Sequence, residues 1–230
     1  MDRPHIAVVI PAVDEEAAIG LVVREIPPLV AEIVVVDNGS RDRTAEVAAA
    51  AGARVVREQR RGYGQACLAG IAAAPEAEIY VFLDGDHSDD PAQLGELLAP
   101  ILAGEAELVI GSRTLGRRAP GAQPWHAVLG TRFCVGLMNL LIGTRATDLG
   151  PFRAITREAL GRLQMQDRNF GWTVEMQLKA ARQRLRVREV PVDYRPRLGR
   201  SKISGTVSGT LRAALKILGT IARHALARSA

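Results

Sequence analysis

The chain has only two cysteines, Cys67 and Cys134, far apart and without the Cys-x-x-Cys or Cys/His spacing of a metal site or a thiol redox pair. Both read as buried free thiols, which fits a reducing, cytosolic compartment. No basic leader precedes an apolar stretch at the N-terminus, because Ile6–Ile10 runs straight into Pro11 and then Asp14, Glu15 and Glu16. No uninterrupted apolar run of 18 residues occurs, so no membrane-spanning helix is expected. Acidic side chains are missing from residues 194–230, which hold eight Lys or Arg, while the rest of the chain carries 22 basic against 25 acidic groups. The net charge of +5 is therefore a C-terminal property, and such a tail suits an anionic surface. Beyond Tyr194 the tail lacks the interleaved aromatic rings on which bases stack, which argues against nucleic acid.

What is present is an ordinary globular composition, 47% hydrophobic and 24% charged over 230 residues. Short β-branched runs at 6–10, 33–36, 53–56, 79–83 and 108–110 alternate with amphipathic stretches near 16–26, 42–51, 64–73 and 91–103. That alternation predicts an α/β fold, an open and mainly parallel sheet flanked by helices. Residues 114–124, rich in Gly, Pro and Arg, predict a loop. Helices are expected at 126–142, 156–164 and 171–182, a strand near 187–194, and a final helix from Ser204. The expected division is a domain over 1–202 and a basic C-terminal helix over 203–230.

In open α/β sheets ligands bind outside the carboxyl ends of the strands. Here those ends carry Pro11-Ala-Val-Asp-Glu-Glu16, Asp37-Asn-Gly-Ser40, Asp84-Gly-Asp86 and Gly111-Ser-Arg113. Gathered carboxylates repel unless a cation or a hydrogen-bonding ligand offsets them, which implies a metal or a polar nucleotide. Asp84 and Asp86, one residue apart on an extended segment with Gly85 to let the backbone turn, suit Mg²⁺ or Mn²⁺ shared with a diphosphate. Asp37 ends a buried strand with an acceptor for a base or ribose, while Ser40 or Asp42 suits a helix cap. Gly62-Tyr63-Gly64 is no dinucleotide fingerprint, since Cys67 stands where the third glycine belongs, and no Walker lysine motif occurs.

Taken in order, these pieces resemble family 2 glycosyltransferases of the GT-A fold, especially the dolichol-phosphate mannosyltransferase-like group acting on polyprenyl phosphates. The resemblance rests on Pro11-Ala-Val-Asp-Glu15, Val34-Val-Val-Asp-Asn-Gly-Ser-Arg-Asp-Arg-Thr44, Arg61-Gly-Tyr-Gly-Gln-Ala66, Asp84-Gly-Asp86 with Pro91 and Gly111-Ser-Arg113. It continues through Thr147-Asp-Leu-Gly-Pro-Phe-Arg153, Glu189-Val-Pro-Val and Arg197-Leu-Gly-Arg-Ser-Lys202. It implies a Rossmann-like GT-A sheet and inverting transfer of a sugar from a nucleotide diphosphate sugar. Pro11, Ala12, Glu15 and Asp37 would line the nucleotide pocket, and Asp84 and Asp86 would face Mg²⁺ or Mn²⁺ and the diphosphate. Arg113, Arg132 and Arg153 are candidates for the acceptor phosphate, and Arg197, Ser201 and Lys202 for closing over the diphosphates. Arginine's planar fork suits phosphate oxygens.

A phosphate acceptor is already ionised, whereas a hydroxyl acceptor needs a base, for which Asp148 is the candidate. Glu175, opening the helix after Phe170-Gly-Trp-Thr-Val, is a candidate contact to sugar or acceptor, and Trp172 either stacks there or packs in the core. The chain departs from the pattern at Val13, where an aromatic is usual, and at Ser88, where the mannosyltransferases carry glutamine. The Q-x-x-R-W sequence of processive synthases is missing, which favours single transfer.

On a helical wheel, residues 205–228 place Val207, Leu211, Leu215, Leu218 and Ile221 on one side and Arg212, Lys216 and Arg223 on another. Such a helix suits peripheral attachment to the inner face of the cell membrane, or packing on its own domain or on a second subunit of a homo-oligomer. Three alternatives stay open: a soluble phosphorylated acceptor, a nucleotide-sugar binding module without turnover, and a nucleotidyltransferase.

Overall fold

The computed structural model describes residues 4–199 and 215–223. Seven strands, β1 (Ile6–Ala12), β2 (Glu32–Asp37), β3 (Arg54–Arg57), β4 (Ile79–Phe82), β5 (Leu108–Ser112), β6 (Arg153–Thr156) and β7 (Val187–Pro191), form one sheet in the order β3-β2-β1-β4-β6-β5-β7. All neighbours pair parallel except β6, which runs antiparallel to both β4 and β5. The helices are α1 (Ile19–Glu25), α2 (Thr44–Ala50), α3 (Tyr63–Ala73), α4 (Leu94–Leu102), α5 (Trp125–Ile142), α6 (Arg157–Leu163) and α7 (Trp172–Arg182), with a short 3₁₀ turn at Pro91–Gln93. The expected α/β sheet is thus present.

Alternation along β1 shows why the central strands read as unbroken apolar runs. Ile6, Val8 and Ile10 pack with α1, α2 and α4 on one face, while Ala7 and Val9 pack with α3, α6 and α7 on the other. A strand covered on both faces has no solvent side to keep polar. A third apolar cluster joins α5 and α7 through Cys134, Val135, Met138, Val174 and Leu178.

Three differences from the sequence expectations have physical causes. The strand β6 forms where the sequence predicts none, since Arg-Ala-Ile-Thr is short and opens on a charge, yet Arg153 is fully buried. Second, α5 is 18 residues long with a mean hydropathy of 1.3, so by length and composition it reaches the membrane-helix range that the sequence reading excluded. His126 and Arg132 interrupt the run without lowering that average much.

Third, the helical residues 215–223, the described part of the basic C-terminal helix, lie on the protein itself. Ile221 is fully buried among α5 and α7, and Lys216 Nζ lies 2.9 Å from Asp167 Oδ2. The domain thus occupies Thr220 and Ile221 of this helix, while Leu215 on its apolar side is left 60% exposed. The remainder of the 203–230 segment lies outside the described residues.

Helix α3 approaches β1 closely at Gly70, where an added Cβ would overlap Val9 Cγ1. Alanine favours an open helix interior by about 1 kcal/mol over glycine, but overpacking costs about 1–3 kcal/mol. Gly70→Ala should therefore lower the urea midpoint; a higher midpoint would show that α3 does not press on the sheet.

Candidate active site

A cleft of about 800 Å³ opens at the carboxyl ends of β1, β4 and β5. Pro11, Ala12, Val13 and Glu15 enter it after β1, Asp84, Gly85 and Asp86 after β4, and Arg113 after β5. Its other walls come from Arg61–Tyr63, from Phe170 and Thr173, from Tyr194, Pro196 and Arg197, and from one side of α5 through Ala127, Gly130, Thr131 and Cys134.

The two β4 aspartates sit differently. Asp86 Oδ1 accepts hydrogen bonds from Ser88 N at 3.0 Å and Ser88 Oγ at 2.5 Å, and Arg197 Nη1 lies 3.2 Å from Asp86 Oδ2. Arg197 Nη2 also donates to Glu15 Oε1 at 2.8 Å, so one guanidinium spans both carboxylates. It is His87, with φ +63°, and not Gly85 that takes the left-handed conformation after Asp86. A Cβ at Gly85 would sit 3.3–3.5 Å from Ile19, Ile10 and Ala12, a snug but near-ordinary contact. The Asp84 carboxylate has no hydrogen bond or ion pair among the described residues.

Behind this pair lies Asp89, which the sequence reading did not single out. It is completely buried, and among the described residues neither carboxylate oxygen makes a well-formed hydrogen bond, the Asp84 backbone N–H acting on it only as a minor influence. Burial, reinforced by Asp86 and opposed by Arg113, pushes its carboxyl up to about 7. Burial, then Asp86, then Asp89, push the Asp84 carboxyl well above the usual range. Three carboxylates are thus crowded together, and an unpartnered one faces the cleft. That donor set fits a divalent cation. No trio of His, Cys, Asp or Glu among the described residues converges on a single point. The fit is therefore to a cation held by Asp84 and Asp86 and completed by non-protein oxygens, as Mg²⁺ commonly is.

Arg113 and Asp148 form a bidentate pair. Arg113 Nε and Nη2 each donate at 2.7 Å to Asp148, whose Oδ2 also accepts the Arg113 N–H at 2.9 Å. Burial alone would raise the Asp148 carboxyl, but the charge and hydrogen bonds of Arg113 outweigh it and hold that carboxyl low. Asp148 is consequently a poor proton acceptor, and the base role expected of it is replaced by that of anchor for Arg113. The guanidinium also lies over the Tyr194 ring, 5.0 Å from its centroid.

Other expected site residues are placed elsewhere. Arg153 is fully buried and donates to the carbonyls of Thr173 and Gly150, so it ties loops together and is not free for an acceptor phosphate. Arg132 is exposed on α5, outside the cleft wall. Glu175 is buried, accepts the backbone N–H groups of Gln166 and Asp167, and pairs with Lys179 at 2.7 Å. It fixes the 166–171 loop and does not line the cleft. Trp172 packs edge-on against Phe82 in the core. Asp37 Oδ1 accepts the Ser40 N–H, and its neighbour Asn38 is the one that reaches the cleft. Ser201 and Lys202 lie outside the described residues.

Several motif residues turn out to build the walls. Asn38 donates to the Glu58 and Arg60 carbonyls and accepts the Gly62 N–H, pinning the 58–62 loop. Gly62 and Gly64 have no room for a Cβ because the carbonyls of Arg168 and Asp167 press against them, which explains the Gly-Tyr-Gly without any phosphate. Glu189 on β7 accepts from Thr147 N and Oγ1, and Thr147 Oγ1 meets Ser112 Oγ at 2.7 Å, so the loop carrying Asp148 is tied to two strands.

Asp89 gives a stability test. From about pH 4 to about pH 7 the unfolded chain releases this proton first, so the folded state loses relative stability as pH rises, and above that the loss is complete. With divalent cations chelated, Asp89→Asn should melt higher than the wild type at pH 8, and the gap should shrink as the pH falls. A gap independent of pH would rule out a strained Asp89.

The model for glycosyl transferase family 2 matches residues 7–164. An uncharacterized glycosyltransferase of Mycobacterium tuberculosis is 40% identical over 216 residues, covering 91% of this chain and 94% of that one. A dolichyl-phosphate hexose transferase of Haloferax volcanii is 32% identical over 208 residues, covering 89% of each. Among solved structures, glucosyl-3-phosphoglycerate synthase from M. tuberculosis, in complex with Mn²⁺, UDP-glucose and phosphoglyceric acid, superposes with a TM-score of 0.80 at 27% identity, covering 96% of this chain and 80% of that one. With the motifs in sequence order and the cleft at the carboxyl edge of the matching sheet, the chain belongs to glycosyltransferase family 2 and is a glycosyltransferase that uses a nucleotide sugar.

Proposed function

We propose that the protein transfers one sugar, with inversion at the anomeric carbon, from a nucleotide diphosphate sugar to a polyprenyl phosphate at the cytoplasmic face of a membrane. One observation carries the choice of acceptor. The acidic residues lining the cleft are Glu15, Asp84 and Asp86, and none suits the role of general base. Glu15 is bridged to Arg197, the two aspartates face the cation position, and Asp148 is locked to Arg113. An acceptor that is already ionised at neutral pH needs no proton removed, and a phosphate monoester meets that condition. The likeness to a dolichyl-phosphate hexose transferase points the same way.

In this reading Pro11, Ala12, Glu15 and Asn38 border the nucleotide, and Asp84 and Asp86 are the residues that would hold Mg²⁺ or Mn²⁺. When bound, such an ion supplies charge stabilisation for the departing diphosphate. Arg197 releases Asp86 and Glu15 and turns to the diphosphate oxygens, adding donors where negative charge grows. Arg113, fixed by Asp148 and Tyr194, presents its guanidinium to the acceptor phosphate. The pair is positioned before the acceptor arrives, which limits the ordering cost of binding.

A second reading has its own support. The likeness to glucosyl-3-phosphoglycerate synthase covers nearly the whole chain and favours a small phosphorylated acid as acceptor. Incubating the protein and Mn²⁺ with UDP- and GDP-sugars, each with polyprenyl phosphate or with phosphoglycerate, separates the two by acceptor-dependent nucleotide release. Release with polyprenyl phosphate alone is expected, and Asp86→Ala should reduce it by more than about 10²-fold, as loss of a principal electrostatic group does. Release only with phosphoglycerate would replace the lipid acceptor by the soluble one.

A further inference from the structure

We propose that α5 docks the protein on an anionic bilayer, with the stripe Trp125, Leu129, Phe133 and Leu140 entering the interfacial layer. The inference rests on the lipid-acceptor reading for the nature of the surface, but its structural basis is independent of the reaction. These four side chains are 75, 55, 63 and 80% exposed, and their spacing puts them on one side of the helix. Large apolar side chains exposed together in a row mark a contact surface, whereas scattered ones are ordinary. The other sides of α5 are occupied: Val135, Met138 and Ile142 pack inward, and Ala127, Gly130 and Thr131 line the cleft. The exposed stripe and the cleft wall thus belong to one helix, so a lipid whose tail stays in the bilayer has its phosphate end beside Arg113.

Charge selects the occupant. Residues 108–147 hold Arg113, Arg117, Arg118, Arg132 and Arg145 and not one Asp or Glu. Arg132 stands exposed within the stripe, and Arg118, whose Nε has no hydrogen-bond partner among the described residues, borders a hollow of about 520 Å³ with Trp125 and Leu129. Interfacial helices combine such an apolar face with arginine and tryptophan at headgroup level. A two-fold contact through the stripe would set Arg132 of one copy near Arg132 of the other, which like charges oppose.

Spanning is excluded by topology despite the length and hydropathy of α5. The helix leaves from β5 and returns to β6, and these strands are paired neighbours in one sheet, so both ends of α5 stay on one side of any bilayer.

The protein has two tryptophans, and Trp172 is buried, so changes in emission on membrane contact report Trp125. Phosphatidylglycerol vesicles with brominated chains should quench this emission in the wild type, pure phosphatidylcholine vesicles less so, and added salt should weaken the effect. The double variant Phe133→Glu, Leu140→Glu should keep the wild-type melting temperature and lose vesicle partitioning by at least about tenfold. Equal partitioning of the variant, a wild type that ignores the vesicles, or a stripe shielded from acrylamide in a concentration-dependent dimer would each overturn the proposal. Turnover of a short-chain, water-soluble polyprenyl phosphate separates this from the acceptor reading. If that substrate is used but vesicles are ignored, docking fails and the acceptor stands. If the stripe binds vesicles but no polyprenyl phosphate is used, the acceptor fails and docking stands.

Discussion

Negative charge crowded at the carboxyl edge of the sheet governs this molecule. Asp84, Asp86 and Asp89 follow one buried strand within six residues, and β4 is held in place by β1 on one side and β6 on the other. Desolvation and mutual repulsion oppose ionisation there, and the nearby cations, Arg113 and Arg197, offset only part of it. A protein that keeps such a cluster is less stable alone than with a bound cation, because a ligand that binds only the folded state stabilises it. The folded architecture therefore concentrates its least neutralised carboxylates beside the cleft at the end of β4.

Around that cluster, a second tier of interactions fixes the walls. Arg113 is gripped by Asp148, and the loop carrying Asp148 is tied to β5 through Ser112 and to β7 through Glu189. Breaking such a buried pair by removing one partner typically costs about 3–5 kcal/mol, so these residues serve placement as much as stability. On the opposite wall Glu175 holds the 166–171 loop, which in turn presses on Gly62 and Gly64 at the start of α3. The polar residues of the motifs thus divide between a few that face the cleft and more that hold it open.

That division sets what could be read from the sequence. The parallel half of the sheet was legible because β-branched runs and amphipathic stretches alternate, and the cleft was legible because chemistry-bearing residues follow each strand. The Asp84/Asp86 pair and Arg113 fall where that logic puts them. The roles of Asp148, Arg153 and Glu175 were not legible, because a sequence shows that a charge is present and not whether a neighbour neutralises it. Asp89 escaped for the converse reason: beside Asp90 it looks like a solvated turn, while in the fold it is completely buried. The strand β6 hides behind a charged first residue, and the exposed row on α5 is hard to read because the same helix carries buried and cleft-lining residues on its other sides. Burial separates these faces, leaving Trp125, Leu129, Phe133 and Leu140 exposed on α5 and Ile221 covered by the domain.

Paramagnetic Mn²⁺ provides the most direct test of the carboxylate cluster, since the aqueous ion has a sharp resonance that disappears on binding. The wild-type protein should deplete that resonance beyond what a nucleoside diphosphate does alone, and Asp84→Asn and Asp86→Asn should each abolish the extra depletion while melting no lower than the parent. Undiminished binding in both variants would show that the ion, and with it the diphosphate, is held somewhere else.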